Sequence, residues 1–387
     1  CDISDLKEIF LDDILELQDA GIMAIAQAAR QLERISIKSC IGITDQSTRT
    51  LGECCTGLTA LNATGCIKLA DISLKYCAKS IIELNLSDCS AMILNDTHVD
   101  ALFFHNPSIT HLNMNYMPAT DKTLASMHHS LSRLRTLDLH GIPGTNFAGL
   151  FSCNDRLQRV SVPNTEIDDT AILALGKTCA TSLTFLNIAH CSKLSESLSS
   201  LSHFTNMTHL NLSSVSKLDD DSLQLICMMC PFIEKLIIQG CKKITDLSTA
   251  LLGTYLHKLL SLDVSDCGLI TSFADLSRGC FFLKDFKASN CEHLCDSAVL
   301  ELSKLPHLEW IDLTGCKMLT EVALHTLEIG APALKTIYLG KNKTTDTSLN
   351  SLLKRSDLNI FVNGTVYAAR VCIHQTHTIF TYRILKA

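Results

Sequence analysis

Aromatic residues are scarce in this sequence, at 5% of 387 residues, and there is one Trp, Trp310. Charged residues are also few, at 19%, with a net charge of −7. No stretch approaches the roughly 18 uninterrupted apolar residues that a membrane-crossing helix needs, which excludes a span of that kind. The first residues, Cys1-Asp2-Ile3-Ser4-Asp5, lack the basic start and apolar stretch of a signal peptide. Enzyme signatures are missing too: there is no G-x-S-x-G, Walker loop, H-E-x-x-H or glycine-rich dinucleotide turn. We therefore expect no enzymatic activity and no cofactor. What is present is a chain 47% hydrophobic and rich in Leu, Ser, Asn and Cys, enough for a large core. That mixture points to one unit copied many times.

The clearest copy runs from Ile233 through Leu236 and Ile238 to Cys241, followed by Ile244-Thr245-Asp246. Its pattern is L-x-x-L-x-L-x-x-C, positions one to nine, then a short gap and a helix-like stretch. Leu259-Leu262-Val264-Cys267, Leu283-Phe286-Ala288-Cys291 and Leu308-Ile311-Leu313-Cys316 repeat it, as do Leu32-Ile35-Ile37-Cys40 and Leu183-Leu186-Ile188-Cys191. Weaker copies lack the Cys, and a last degenerate one surrounds Ile360. The total is about fifteen units spaced by roughly 25 residues.

Positions four and six share one face of a strand and are buried, while three, five and seven face the other way. After position nine the apolar period becomes helical, as in Leu247, Leu251 and Leu252. Thr245-Asp246 suits a helix start, since Thr can cap free N–H groups and Asp favours the positive end of the dipole. The same start recurs at Thr44-Asp45, Thr120-Asp121, Asp168-Asp169 and Asp219-Asp220. One unit cannot bury its apolar face alone, so stability comes from stacking. Strands stack every 4.8 Å or so and helices every 9 to 10 Å or so, which turns each unit by about 25°. The fold expected is an α/β leucine-rich-repeat solenoid, a horseshoe with a parallel inner sheet and outer helices. Residues 1–365 form it, and 366–387 a C-terminal β-rich cap, entered through a hairpin between Ile360 and Tyr367.

Nineteen Cys are present, and eight of them (40, 66, 89, 191, 241, 267, 291 and 316) occupy position nine. Cys55, Cys77, Cys179, Cys230 and Cys280 form a second set just before a strand. Equivalent residues in a stack are not all placed to pair, so a buried ladder of thiols is expected rather than disulfides. Cys227-x-x-Cys230 has no second such pair, and His374 with His377 has no third ligand, so no metal is expected. The adjacent His190-Cys191 suggests a nucleophile, but Cys191 belongs to the buried ladder and would be inert. Many free thiols imply a reducing compartment: cytoplasm, with nucleus or cilium as variants. Three N-x-S/T matches, Asn62, Asn85 and Asn211, fall on strands and are not expected to carry glycan.

The Cys at position nine, the I-T-D start and the Cys before the next strand together resemble the cysteine-containing leucine-rich repeats. Those are best known from F-box/leucine-rich-repeat proteins, the substrate receptors of cullin-type ubiquitin ligases. Structural subunits of motile cilia carry the same repeat. The resemblance implies a protein-interaction scaffold, most like a ligase substrate receptor, or alternatively a permanent subunit of a cytoskeletal or axonemal assembly. The chain opens at Cys1 inside a repeat, and we expect sequence upstream of it.

Two segments break the pattern. Residues 140–156, with Pro143 and flanking glycines, are expected to replace the outer helix by loop or a single turn, and Ser192–Ser202 is a poor helix. The solvent-facing positions carry no basic stripe and no regular aromatic interleaving, which disfavours nucleic acid and anionic membrane. Position five is mostly Asn, Asp or Ser, suited to lateral hydrogen bonds along the sheet. Apolar or aromatic residues at these positions break that rule, and such anchors flanked by charge are what protein interfaces use. The candidate partner-binding residues are Phe185, Lys235, Ile237, Asp285, Lys287, Trp310 and Tyr338. His111, His140, His190 and His209 lie on or beside the same face and are expected to be solvated.

Overall fold

The computed structural model describes residues 2–69, 80–89, 96–340, 352, 357–363, 365–368 and 383–385. Cys77, His374 and His377 lie outside the described residues. The chain divides into two compact units, Cys1–Ser200 and Leu201–Ala387.

Among the described residues the first unit contains eight three-residue strands: β1 (Glu8–Phe10), β2 (Arg34–Ser36), β3 (Ala60–Asn62), β4 (Glu83–Asn85), β5 (His111–Asn113), β6 (Thr136–Asp138), β7 (Arg159–Ser161) and β8 (Phe185–Asn187). Each pairs in parallel with the next, in a register that sets position four beside position four, as in Ile35 with Leu61. Helices α1 (Asp19–Ala28), α2 (Asp45–Cys54), α3 (Asp96–His105), α4 (Asp121–Ser130), α5 (Phe147–Ser152) and α6 (Asp169–Cys179) follow strands. In the second unit, β9 (His209–Asn211), β10 (Lys235–Ile237), β11 (Ser261–Asp263), β12 (Asp285–Lys287), β13 (Trp310–Asp312), β14 (Thr336–Leu339) and β15 (Asn359–Val362) are parallel neighbours. Its helices are α7 (Asp220–Met229), α8 (Asp246–Tyr255), α9 (Ala274–Gly279), α10 (Asp296–Leu302) and α11 (Glu321–Gly330). Two antiparallel strands, β16 (Thr365–Ala368) and β17 (Arg383–Leu385), extend the edge at β15. Val362 pairs with Thr365, so the expected hairpin is present with a two-residue connection.

Burial follows the repeat. Leu32, Ile35, Ile37 and Cys40 are at most 3% exposed, and the same positions are closed in the other full copies. Helices bury one stripe, as with Leu223, Ile226 and Cys227 of α7. For the loop or single turn expected at 140–156, the structure has a short helix of less than two turns, the six-residue α5, because Phe147, Leu150 and Phe151 fall on one helical face and are buried. The Ser-rich stretch is a 3-10 helix, Glu196–His203.

Two ladders join successive repeats. Every position-nine Sγ donates to the position-six carbonyl of the preceding repeat at 3.0–3.3 Å, Cys267 to Ile238 and Cys316 to Ala288 among them. That carbonyl's other lone pair takes the position-nine N–H of its own repeat, as Ile238 O does from Cys241. Burial pushes the Cys66, Cys241 and Cys291 thiols up to about 12, so they remain S–H donors at neutral pH. Among the described residues all sixteen cysteines are free. The second set makes similar bonds, Cys179 to Asn154 O at 2.9 Å and Cys280 to Leu256 O at 3.5 Å.

The second ladder runs along the helix starts. Asp220 accepts from the backbone N–H of Thr245 at 3.0 Å and from its hydroxyl at 2.7 Å. Thr245 Oγ1 in turn accepts from Leu247 N at 3.2 Å, so one hydroxyl caps its own helix and reaches the preceding one. Asp19 with Thr44, Asp169 with Ser195, Asp246 with Thr271 and Asp296 with Thr320 repeat the arrangement.

Among the described residues, position eight is left-handed in thirteen repeats, from Asp13 (φ 61°) to Gly315 (φ 78°). Eleven of these residues are Gly, Asn, Asp or Ser, the types that tolerate the conformation, and the exceptions are Tyr116 and His190.

Candidate functional site

On the strand face of the second unit, position three runs Lys235, Ser261, Asp285, Trp310, Thr336. Position five runs Ile237, Asp263, Lys287, Asp312, Tyr338, Phe361. The Trp310 and Tyr338 rings lie 5.0 Å apart at 44°, and Tyr338 stacks on Phe361 at 4.3 Å and 6°. Lys287 Nζ sits 5.2 Å from the Trp310 ring centre, within cation–π range. All three rings are half-buried. The result is a strip of stacked rings with an ammonium at one end and the Asp285 carboxylate on the strand beside Trp310. Such a strip offers large, rigid apolar area at small entropic cost.

Of the residues chosen from sequence, Asp285, Lys287, Trp310 and Tyr338 fall on three consecutive strands. Lys235 and Ile237 lie on β10, two strands away from β12. Phe185 belongs to the first unit, where the Arg159 guanidinium lies 3.5 Å from its ring centre. Phe361 was missed, although it follows Ile360 in the degenerate last copy, so the register already placed it at position five.

The strand face of the first unit carries an open cavity of about 420 Å³ lined by residues of β1 to β6 and by Asp12. Arg34 spans the small side chain of Ala60 to reach Glu83 at 2.6 Å. That bond holds the Glu83 carboxyl below its ordinary range. Asp12 accepts from the Ser36 hydroxyl and from Lys38 N at 3.0 Å. The floor is formed by Asn62, Asn85 and Asn113.

The position-five side chains work differently from expectation. Their main bond is local: each Oδ1 accepts the backbone N–H two residues on, at 2.9–3.2 Å, in Asn62, Asn85, Asn113, Asn187, Asn211, Asp263 and Asp312. Lateral bonds are secondary, as between Asn187 Nδ2 and Ser161 Oγ at 3.3 Å. A carboxamide or carboxylate two residues before a turning backbone closes an Asx turn more readily than it spans 4.8 Å or so between strands.

Asp138 is the exception. The N–H it would bind, that of His140, goes instead to Asn115 Oδ1 at 2.6 Å. The Asp138 side chain is 19% exposed, with Arg159 Nε 3.9 Å away. Burial pushes its carboxyl above the ordinary range, and Arg159 and Ser161 offset this only in part. At the adjoining edge, Tyr116 OH and His140 Nδ1 are 3.1 Å apart and the rings 4.4 Å. His140 is therefore half-buried and hydrogen-bonded rather than solvated. Burial, then the neighbouring His190, lowers its pKa.

Among the described residues, no three His, Cys, Asp or Glu side chains converge as metal ligands, and no helix is long and apolar enough to cross a membrane.

No family model matches the sequence. Solved structures are similar to it in fold. A chain of the yeast Rad7–Elc1 complex has a TM-score of 0.62 at 17% identity, covering 92% of this chain and 81% of that one. An internalin of Listeria monocytogenes has a TM-score of 0.58 at 19% identity, covering 92% and 96%. A leucine-rich-repeat protein of Leptospira interrogans has a TM-score of 0.58 at 15% identity, again covering 92% and 96%. With its strand–helix copies and its ladder of position-nine thiols, the chain has the leucine-rich-repeat solenoid fold in its cysteine-containing form.

Proposed function

We propose that this chain is a protein-interaction scaffold whose strand face captures a partner, in the manner of a substrate-recognition subunit of a cullin-type ubiquitin ligase. The observation that carries the binding role is the strip of Trp310, Tyr338 and Phe361, beside Lys287. Position three and position five need no aromatic residue to build the repeat, since most copies place small or polar side chains there. Three half-exposed rings stacked in one place are matched to a partner surface, where buried aromatic anchors dominate affinity. The ligase role draws on the repeat type and on the similar chain found in the Rad7–Elc1 complex, a two-protein assembly. The thiol ladder supports residence in a reducing compartment, because its S–H donors are lost on oxidation.

The test is capture of the full-length protein's complexes from cells at stringent salt. Recovery of a ligase adaptor and a cullin supports the reading; a fixed set of cytoskeletal or axonemal subunits in their place overturns the ligase role. Within whichever complex is recovered, Trp310→Ala weakens capture of the bound partner by at least about tenfold. Its circular dichroism is unchanged, and unaltered capture removes the strip from the binding face.

A further inference from the structure

We propose that the cavity on the strand face of the first unit is a second docking site, which takes a lysine or arginine side chain from an extended protein segment, with Asp138 as its anchor. This goes beyond the aromatic strip and shares with the scaffold reading only that the partner is a protein.

The argument starts from a rule that the chain itself sets. Of eight Asn or Asp residues at position five, seven accept the backbone N–H two residues on, and Asp138 alone does not. Asn115, at position seven of the preceding repeat, has taken the His140 N–H. Asp138 keeps a side-chain hydrogen bond with Ser161 but lacks the backbone N–H that its equivalents have, and its nearest cation, Arg159 Nε, is at 3.9 Å, beyond a normal hydrogen bond. That guanidinium is itself laid on the Phe185 ring. A carboxylate in that state gains from any ammonium or guanidinium entering from the open side.

The cavity suits a basic segment in two further respects. Its carboxylates Asp12, Glu83 and Asp138 outnumber the two cations beside them, Arg34, whose charge is already committed to Glu83, and Arg159, which flanks Asp138. On the floor, Asn62, Asn85 and Asn113 spend Oδ1 on backbone N–H groups, which fixes each carboxamide so that Nδ2 can donate outward. Such donors can meet main-chain carbonyl groups of a peptide laid across the strands.

Tyr116 lies outside the cavity lining, next to His140. A bulky side chain in the left-handed region is strained by about 1 to 2 kcal/mol. With the residue 54% exposed, burial does not offset that strain. Its hydroxyl is tied to His140, two residues beyond Asp138 on the same strand face. A ring held there can lie against the stem of a lysine or the plane of a guanidinium.

The test is an array of hexapeptides, each with Lys, Arg or norleucine at one place, probed with the labelled full-length chain. Lys and Arg peptides are expected to be retained at least about tenfold above their norleucine counterparts. Asp138→Asn abolishes the preference, while Trp310→Ala and Asp285→Asn, both in the second unit, leave it intact. Asn115→Ala returns the His140 N–H to Asp138 and reduces the preference with the carboxylate still present, which decides the matter if Asp138→Asn misfolds. Equal retention of norleucine peptides, no retention at all, or a preference that survives Asp138→Asn overturns the proposal.

Discussion

Replacing Asp220 separates two accounts of why Thr-Asp recurs at the helix starts. If Asp only complements the dipole of its own helix, Asp220→Ala costs about 0.3–1 kcal/mol. The structure gives it more to do. The carboxylate accepts from Thr245 N, from Thr245 Oγ1 and from the buried Ser248 hydroxyl, all in the next repeat. Hydrogen bonds to a charged group contribute about 1.5–3 kcal/mol each, and a buried hydroxyl left without its acceptor costs about 1–3 kcal/mol. Discounting for the half-exposed carboxylate, the loss is about 2–4 kcal/mol. Stacked repeats unfold in parts, so a single denaturation midpoint is a poor gauge. Native-state hydrogen exchange reads the joint itself. Amides in the first turns of α8, Thr249 to Leu252, are expected to exchange about thirty- to several-hundred-fold faster in Asp220→Ala. A double-mutant cycle with Thr245→Val is expected to show coupling of at least about 1 kcal/mol. An acceleration below about threefold, or additivity within about 0.3–0.5 kcal/mol, refutes the latch.

At the alkaline end, the thiol ladder destabilises the fold. Cys89, Cys267 and Cys316 are pushed up to about 11, and Cys66, Cys241 and Cys291 to about 12, from the ordinary 9.0, by burial. Their stabilisation is complete below about pH 9 and is lost as pH rises toward the folded values, by up to about 1.4 kcal/mol per thiol per pH unit. The urea midpoint is expected to fall between about pH 9 and 11 and to fall less in the Cys66→Ser, Cys241→Ser, Cys291→Ser triple variant; a flat profile contradicts the ladder. At the acid end, burial pushes Asp19 up, but bonds from Ser47 and Thr44 outweigh it, and N–H groups of Thr145 and Asn146 hold Asp121 low. Depressed values give stability that is complete above the ordinary carboxylate range and lost as pH falls below about 4. Asp19→Asn and Asp121→Asn are expected to flatten the acid limb of a thermal-melt profile, and parallel limbs contradict that.

The strands were legible because burial at positions one, four, six and nine repeats along the chain itself. A period of two over Leu236 and Ile238 followed by a longer apolar period from Leu247 admits one reading. Thr245-Asp246 was legible only as a local cap. Its bond to Asp220 joins segments 25 residues apart, and a contact across a stack has no signature within one copy. The aromatic strip was partly legible: Trp310 and Tyr338 stood out as bulk among polar neighbours, but which of them touch depends on the diagonal between strands. Lys235, Ile237 and Phe185 satisfied the same sequence test and lie elsewhere. Asp138 could not be recognised from sequence at all. By type it is an ordinary position-five Asp like Asp263 and Asp312, and it differs only in where the His140 N–H points.

A repeat protein provides its own controls. Each copy is built on nearly the same backbone, so a side chain that departs from its equivalents departs for a reason specific to that copy. Left-handed position eight separates the effects: eleven residues there are types that tolerate the conformation, so the strain at exposed Tyr116 belongs to its side chain and not to the repeat. Seven satisfied Asn and Asp residues show what the backbone offers at position five, so the deficit at Asp138 reflects Asn115. The ladders of thiol and Thr-Asp bonds join successive repeats through residues that lie off the strand face. The strand face is thereby free to vary. The departures are three stacked rings on one unit and, on the other, one carboxylate without the backbone N–H its equivalents have, and the two proposed docking sites rest on them.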